Sequence, residues 1–358
     1  MSELENNKQK KKQATLSDIA ESVGVTPMTV SRVVNENGYV SDETREKVLE
    51  AAKNMNYRRN GLARNLKRQF TETVGLVLGD ISNPYSTELA RAVRESLIHR
   101  GFNLFICISE HSAKEDIVAF KSLADHSVDG IIVATRSNEG GDKYLRGIVE
   151  NNIPVVVIGR DFQHADVDFV SPDNFRGGFE ATRHLIDLGH ERIAFIGANL
   201  KAGSSLKRLQ GYVKALEHHD IEIDERLITG RNEDVSEVPG YSTEEIGFEG
   251  MKRLLSLPNP PTAVFARNDF TAIGAMSAIK EAGLRIPEDI AIVGFDDISL
   301  AVRTSPPLTT VRQPMRLEGQ LAAEMLLERI EGKEKLARRE RILNCELIVR
   351  ESTGLRKR

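Results

Sequence analysis

The stretch Thr15–Asn35, TLSDIAESVGVTPMTVSRVVN, decides the reading of this chain. Thr15 can cap a helix starting at Leu16, and Asp18 stands at its third position, where a carboxylate reaches back to the cap. Ile19, Ala20 and Val23 form the apolar stripe of a short amphipathic helix. Gly24 permits a left-handed exit, and Val25 offers a plug for the turn. Thr26 and Pro27 repeat the start signal, a capping hydroxyl followed by a proline where a missing N–H costs nothing. The helix that begins there turns Val30, Val33 and Val34 toward Ile19 and Ala20 and leaves Pro27, Met28, Thr29, Ser31 and Arg32 outside. Ser41, Asp42 and Glu43 start a third helix to about Met55, with Val48, Leu49, Ala52 and Met55 as its covering stripe. These signals lead to the expectation of a helix-turn-helix over 15–58; the same geometry also occurs as an ordinary helical hairpin without DNA, whereas a DNA-binding domain would set the second helix in the major groove of double-stranded DNA.

On the N-terminal side, residues 1–14 read as a flexible basic tail. MSELENNKQKKKQ carries charge without the apolar core of a secretory signal, which predicts a cytoplasmic location. On the C-terminal side, Arg58, Arg59, Arg64, Lys67 and Arg68 follow one another with no acid between them. The net charge of the 358-residue chain is -4, yet residues 1–71 hold 13 Lys and Arg against 9 Asp and Glu, so positive charge is segregated at the N-terminal end. Within 59–70, Asn60 can cap a short helix with Leu62 and Leu66 at i, i+4. A helix that short is marginal in water and needs a partner such as DNA or a second subunit.

Beyond Thr73, apolar runs alternate with amphipathic helices: VGLVLGD, NLFICIS, GIIVAT, VVVIG, RIAFIG, TAVFARND and IAIVGFD. Ile131 to Val133, Val155 to Ile158 and Ile290 to Val293 are apolar on both faces, as parallel sheets covered by helices on both sides require. The length fits two such units, with boundaries expected at 73–172 plus 309–333 and at 173–308 plus 334–356. Gly177–Gly178 at a helix start allows close approach, and the proline-rich SPPLTTVRQP suggests a crossing between the units. Cys107 and Cys345 lie in apolar runs and read as buried, reduced core residues. Ligands of open α/β sheets gather beyond the carboxyl ends of strands, which places a cleft near Asn83 to Tyr85, Ser109, Arg160, Asn268 and Asp296. Each of these also has a plainer role, Asn268 as a helix cap and Tyr85 as a core aromatic among them. Together they favour a polyol or sugar, because hydroxyls need fixed donors and acceptors.

The run TLSDIAESVGVTPMTVSRVVNENGYVSDETREKVLEAAKNMNYRRNGLARNLKR resembles the lac-repressor-type family of bacterial transcriptional regulators nearly end to end. DISNPY, RLQGY, ARND, PEDIAIVGFDD and PPLTTVRQP extend the resemblance to about Gly354. It implies a two-lobed effector domain like that of periplasmic sugar-binding proteins. It also implies that Pro27, Met28 and Arg32 face base edges, with Thr15, Thr29 and Ser31 near phosphates. GLARNLK resembles the family's hinge helix, which sets Asn60, Ala63, Arg64 and Leu66 at the minor groove and Leu66 between central base pairs. The family commonly has proline where this chain has Arg59. Arg208 resembles an arginine that grips the ligand, Asp296 its hydroxyl-accepting partner, and Tyr241 a stacking residue. Ala134 and Gly159 stand where relatives place polar ligand groups, and Arg160 beside Gly159 leaves an anionic or uronic-type sugar open.

The function so implied is a homodimeric repressor of carbohydrate-use genes, binding a pseudo-palindromic operator under control of a small sugar-like effector, with a regulator answering to a non-sugar effector as an alternative. An α/β enzyme is disfavoured because GxGxxG after a strand, GxSxG, GxxxxGK[ST] and HExxH are missing, and no cofactor or metal is called for. A transporter's solute-binding protein is disfavoured by the attached helix-turn-helix and the lack of a signal segment. No apolar run approaches the roughly 20 residues of a membrane span.

Overall fold

The computed structural model describes residues 14–57 and 70–354, except 36, 111, 136–138, 161, 163, 165–166, 199, 201–202, 231–242 and 333–336. The chain forms two compact units, Met1–Phe70 and Thr71–Arg358.

In the first unit, α1 (Leu16–Val23), α2 (Pro27–Val34) and α3 (Asp42–Asn54) follow the local signals closely. Thr15 caps α1 by accepting from the Asp18 N–H while the Asp18 carboxylate accepts from the Thr15 N–H at 2.7 Å, a reciprocal box. Gly24 ends α1 with φ +74, and Thr26 caps α2 ahead of Pro27. Ile19, Ala20, Val30, Val33, Val34 and Val48 make the small core. Helix α3 departs from expectation. Ser41 makes no capping bond to the backbone and its hydroxyl donates to Thr44 Oγ1 instead, while Leu49 and Met55 are exposed. A helix covered on one side by only two short partners buries a narrower stripe than its sequence offers.

The second unit is built on two six-stranded sheets. The first has the order β11-β5-β4-β3-β1-β2, from β1 (Thr73–Leu78), β2 (Asn103–Ile108), β3 (Gly130–Ala134), β4 (Val155–Ile158), β5 (Val167–Pro172) and β11 (Glu340–Leu343). All its pairings are parallel. The second has the order β12-β10-β9-β8-β6-β7, from β6 (Ile193–Ile196), β7 (Ile228–Thr229), β8 (Ala263–Ala266), β9 (Ala291–Asp296), β10 (Thr309–Arg312) and β12 (Glu346–Ile348), with β12 alone antiparallel.

Helices cover both faces of each sheet. On the first, α4 (Pro84–Ile98) and α11 (Met315–Ile330) share one apolar core, and α5 (Ala113–Asp125) and α6 (Glu139–Glu150) share the other. On the second, α7 (Asn174–Asp187) and α8 (Gly203–His218) lie opposite α9 (Thr243–Leu255) and α10 (Asp269–Glu281). Burial on both faces explains why β1, β4, β6, β8 and β9 are continuous apolar runs. Glycine sets the helix spacing: a Cβ on Gly178 would fall 2.3 Å from the Arg208 carbonyl oxygen, and one on Gly211 2.1 Å from that of Phe175.

The chain passes between the lobes three times, after β5, after β10 and after β11. The lobe boundaries therefore differ from those expected: Thr309–Arg312 belongs to the second sheet beside β9, and Glu340–Leu343 to the first beside β5. Strand β2 forms the edge of its sheet, and Phe105, Ile106 and Ile108 are exposed there. Cys107 and Cys345 are free thiols, half-buried rather than buried.

Candidate functional site

A cavity of about 150 Å³, lined by polar and apolar groups in similar measure, lies where the strand ends of the two lobes face each other. For scale, an apolar cavity of about that size holds a benzene ring. Tyr85, Arg160, Arg208, Asn268 and Asp296 all line it, joined by Asp80, Asn83, Asn174, Thr243, Arg267 and Gln313.

Arg208 projects from α8, whose close approach to α7 depends on Gly178 and Gly211. Its Nε donates to Asn174 Oδ1 at 2.8 Å and its Nη1 to the Arg267 carbonyl at 2.5 Å. The guanidinium carbon lies 3.6 Å from the centre of the Phe295 ring, a cation–π contact in a desolvated site. Nη1 is also 3.6 Å from Asp296 Oδ1. Asp296 ends β9 with φ +118 and Asp297 follows with φ +59, so two consecutive residues occupy left-handed backbone. Asp297 anchors that turn by accepting from Arg312 at 2.7 Å and Arg350 at 2.5 Å. Asp296 is thereby aimed into the cavity, where it accepts from Gln313 Nε2. Burial pushes its carboxyl up to about 6, against the pull of Arg208, Gln313 and Arg267.

The other cavity groups carry structural tasks as well. Asn268 caps α10 by accepting from the Thr271 N–H at 2.9 Å. Asn83 accepts from the Tyr85 N–H at 3.0 Å at the start of α4, and Tyr85 Oη donates to Glu318 Oε2 at 2.9 Å. Arg160 is buried with Nη1 2.7 Å from Asp142, so its charge is compensated within its own lobe. Ser109 does not line the cavity. It is fully buried, its hydroxyl 3.4 Å from the Leu78 carbonyl, at the end of the outermost strand of its sheet. Tyr241 lies outside the described residues.

In the first unit, α2 presents Pro27, Met28 and Arg32 to solvent, with Met28 65% exposed. Thr29 and Ser31 are half-buried. The Thr29 hydroxyl pairs with Thr26 at 3.0 Å, and Ser31 Oγ accepts from Asn35 Nδ2 at 3.1 Å, leaving the Ser31 proton free to donate outward. Thr15 is exposed at the start of α1. Asn60, Ala63, Arg64 and Leu66 lie outside the described residues.

Asn174, Arg267, Gln313 and Glu318 were missed in the sequence. Arg267 and Gln313 stand directly after a strand and Asn174 opens the helix that follows one, a signal that was present, whereas Glu318 lies inside a helix. Among the described residues, no helix is long and apolar enough to cross a membrane and no His, Cys, Asp and Glu group is arranged to hold a metal.

Two family models match the chain: bacterial regulatory proteins of the lacI family over residues 15–60, and a periplasmic binding protein-like domain over 182–353. The HTH-type transcriptional repressor PurR of Mannheimia succiniciproducens is 36% identical over 340 residues, 95% of this chain and 98% of the relative. The HTH-type transcriptional regulator DegA of Bacillus subtilis is 37% identical over 341 residues, again 95% and 98%. Among solved structures, the Lac repressor bound to ONPG in the repressed state superposes with a TM-score of 0.81 at 29% identity, over 96% of this chain and all of that one. A complex of the transcriptional regulator CelR with cellobiose superposes at 0.70 and 33% identity, over 95% of this chain and all of that one.

Proposed function

The chain belongs to the lacI family of bacterial regulatory proteins and is a DNA-binding transcriptional repressor, not an enzyme, and on that premise we propose that it is a homodimer controlling carbohydrate-use genes through a neutral, sugar-like effector. The observation that carries the effector class is the composition of the cavity. Asp296 and Arg208, held rigidly on opposite sides of a buried pair, present an acceptor and a donor to one small volume, and Asp80, Asn83, Thr243 and Asn268 surround them. Such a ring of fixed donors and acceptors matches hydroxyl groups. Tyr85 is the one aromatic side chain lining the cavity among the described residues, where polar side chains outnumber it. With Arg160 already paired to Asp142, a neutral sugar fits better than a sugar acid. The cellobiose carried by the CelR relative is of the same class.

The homodimer is supported by β2. An edge strand that exposes Phe105, Ile106 and Ile108, with Ile98 exposed at the end of α4 nearby in sequence, is a surface proteins normally cover. Two-fold symmetry would match a pseudo-palindromic operator read by Pro27, Met28 and Arg32 in the major groove, with Thr15, Thr29 and Ser31 at phosphates. Asn60, Ala63, Arg64 and Leu66 would act in the minor groove between the half-sites.

The test is a melting screen of the full-length protein against neutral sugars, sugar acids and free nucleobases. A ligand at 100 times its Kd stabilises the folded state by about 2.7 kcal/mol, a readily measured shift. A neutral mono- or disaccharide is expected to raise the melting temperature. A response confined to nucleobases or to sugar acids overturns the assignment.

A further inference from the structure

Beneath the cavity lies a buried carboxyl group with no direct ion pair among the described residues. Glu318, in the first turn of α11, is fully buried. Its Oε2 accepts from the neutral Tyr85 phenol at 2.9 Å, and its Oε1 is buried with no hydrogen-bond partner among the described residues. Guanidiniums in the neighbourhood are engaged elsewhere, Arg208 with Asp296 at 3.6 Å and Arg316 of the same helix with Glu95 at 2.5 Å. The titratable and charged groups that face Glu318 are Tyr85 from α4, Asp296 at the end of β9, Arg208 from α8 and Cys345 in the last crossing. Asp296 belongs to the opposite lobe. An ionised Glu318 would therefore set like charges of the two lobes against each other at low dielectric, with one phenol in support.

We propose that Glu318 is a proton site built into the floor of the effector cleft, a neutral carboxylic acid that holds Tyr85 and whose ionisation loosens the packing of one lobe on the other as pH rises. Burial foremost pushes this carboxyl up to about 7, against the Tyr85 hydrogen bond and Arg208, with Asp296 adding to the rise. Asp296 and Glu318 then divide the work. Asp296 supplies the charged acceptor beside Arg208, and Glu318 stores the proton, an arrangement in which neighbouring environments give two carboxyls different states. The use of this proton in signalling rests on the effector reading. Its existence does not.

The experiment needs no effector, so its failure and that of the effector reading are distinguishable. Melting temperatures of the full-length wild type and E318Q are compared across pH. The folded-state value of about 7 lies above the ordinary 4.5, so the stability the neutral acid contributes is fully present below about 4.5 and is lost as pH rises toward 7. The two proteins are expected to melt alike near the acid end. The wild type then falls progressively behind E318Q, and the gap becomes constant above about pH 7, at several degrees. Y85F removes the bond that favours the ionised form and moves the end of that slope to higher pH. D296N removes the facing charge, so the D296N and D296N/E318Q pair shows a smaller gap that levels off at lower pH. A wild-type-to-E318Q offset that is the same at every pH overturns the proton site. Should E318Q fail to fold, an unchanged pH profile in Y85F overturns it equally, and an unchanged gap in D296N overturns the coupling between lobes.

Discussion

Arg208 Nη1 and Asp296 Oδ1 stand 3.6 Å apart, both side chains buried, one from α8 and the other from the end of β9. The separation exceeds a direct hydrogen bond, and both groups are held by others, Arg208 by Asn174 and Asp296 by Gln313. Neither needs the other to stay in position, and both already line the cavity.

Removing Arg208 leaves a buried carboxylate without its cation. Truncating one partner of such a pair costs about 2 to 5 kcal/mol, which corresponds to at least about 30-fold in affinity. Arg208→Ala is expected to weaken binding of the sugar found in the melting screen by that factor or more, measured by calorimetry, while operator binding persists and no longer responds to the sugar.

Gly211 lets α8 lie against α7, and any side chain there meets the Phe175 carbonyl oxygen. Gly211→Ala must push the helices apart, at a cost of about 1 to 3 kcal/mol in denaturant unfolding. Because α8 carries Arg208, sugar affinity should fall with stability. Full affinity in a destabilised Gly211→Ala protein would show that the helix contact does not position the guanidinium.

On the DNA side, Arg32 is exposed on α2 and its stem passes beside Gly38, while Met28 projects from the first turn. Arg32→Ala should relax base preference at one operator position by about 1 to 3 kcal/mol. Arg64→Ala should instead weaken binding evenly across sequences and lower the salt slope by about one. Binding measured on a set of single-base operator variants at two salt concentrations separates these. Equal losses on every sequence from both substitutions would remove Arg32 from base reading.

Asp168, fully buried in β5, accepts from Arg329 at 2.6 and 2.7 Å and from both the backbone and side chain of Arg339. It ties α11 and the start of β11 to the first sheet. Burial pushes its carboxyl up, but the hydrogen bonds from the two arginines outweigh it and leave it below the ordinary value of 3.8. A depressed folded-state value means stability present above the unfolded value and lost as pH falls through the folded one. Asp168→Asn should cost about 3 kcal/mol at neutral pH. Below about pH 4, the wild type should lose stability faster than the variant, as followed by denaturant midpoints.

How much of this was legible in the sequence follows from how local each cause is. Thr15, Asp18, Gly24, Thr26 and Pro27 act on backbone within four residues of themselves, and the helix-turn-helix could be read from them alone. Doubly apolar strands announced the buried sheets, and Gly178 its close contact. Leu49, Met55, Phe105 and Ile106 were unreadable because an apolar residue does not say whether a neighbour arrives to cover it. The lobe boundaries near Thr309 and Glu340 depended on which sheet edge a strand joins, a long-range choice. Ser109 occupied the right kind of place, a strand end, but on the outermost strand. Glu318 meets Tyr85 across 233 residues, and nothing in its helix hints at that pairing.

The central claim is that a small sugar bound between the lobes changes how tightly the helix-turn-helix holds its operator. The most direct test selects the operator from random duplexes with the full-length protein, then measures its affinity by fluorescence anisotropy at fixed salt with and without the sugar identified by melting. Coupling of about 1 to 3 kcal/mol predicts a 5- to 150-fold change in operator affinity, with the same factor appearing in sugar affinity when operator is added. Operator affinity that is unchanged by saturating sugar would contradict the account.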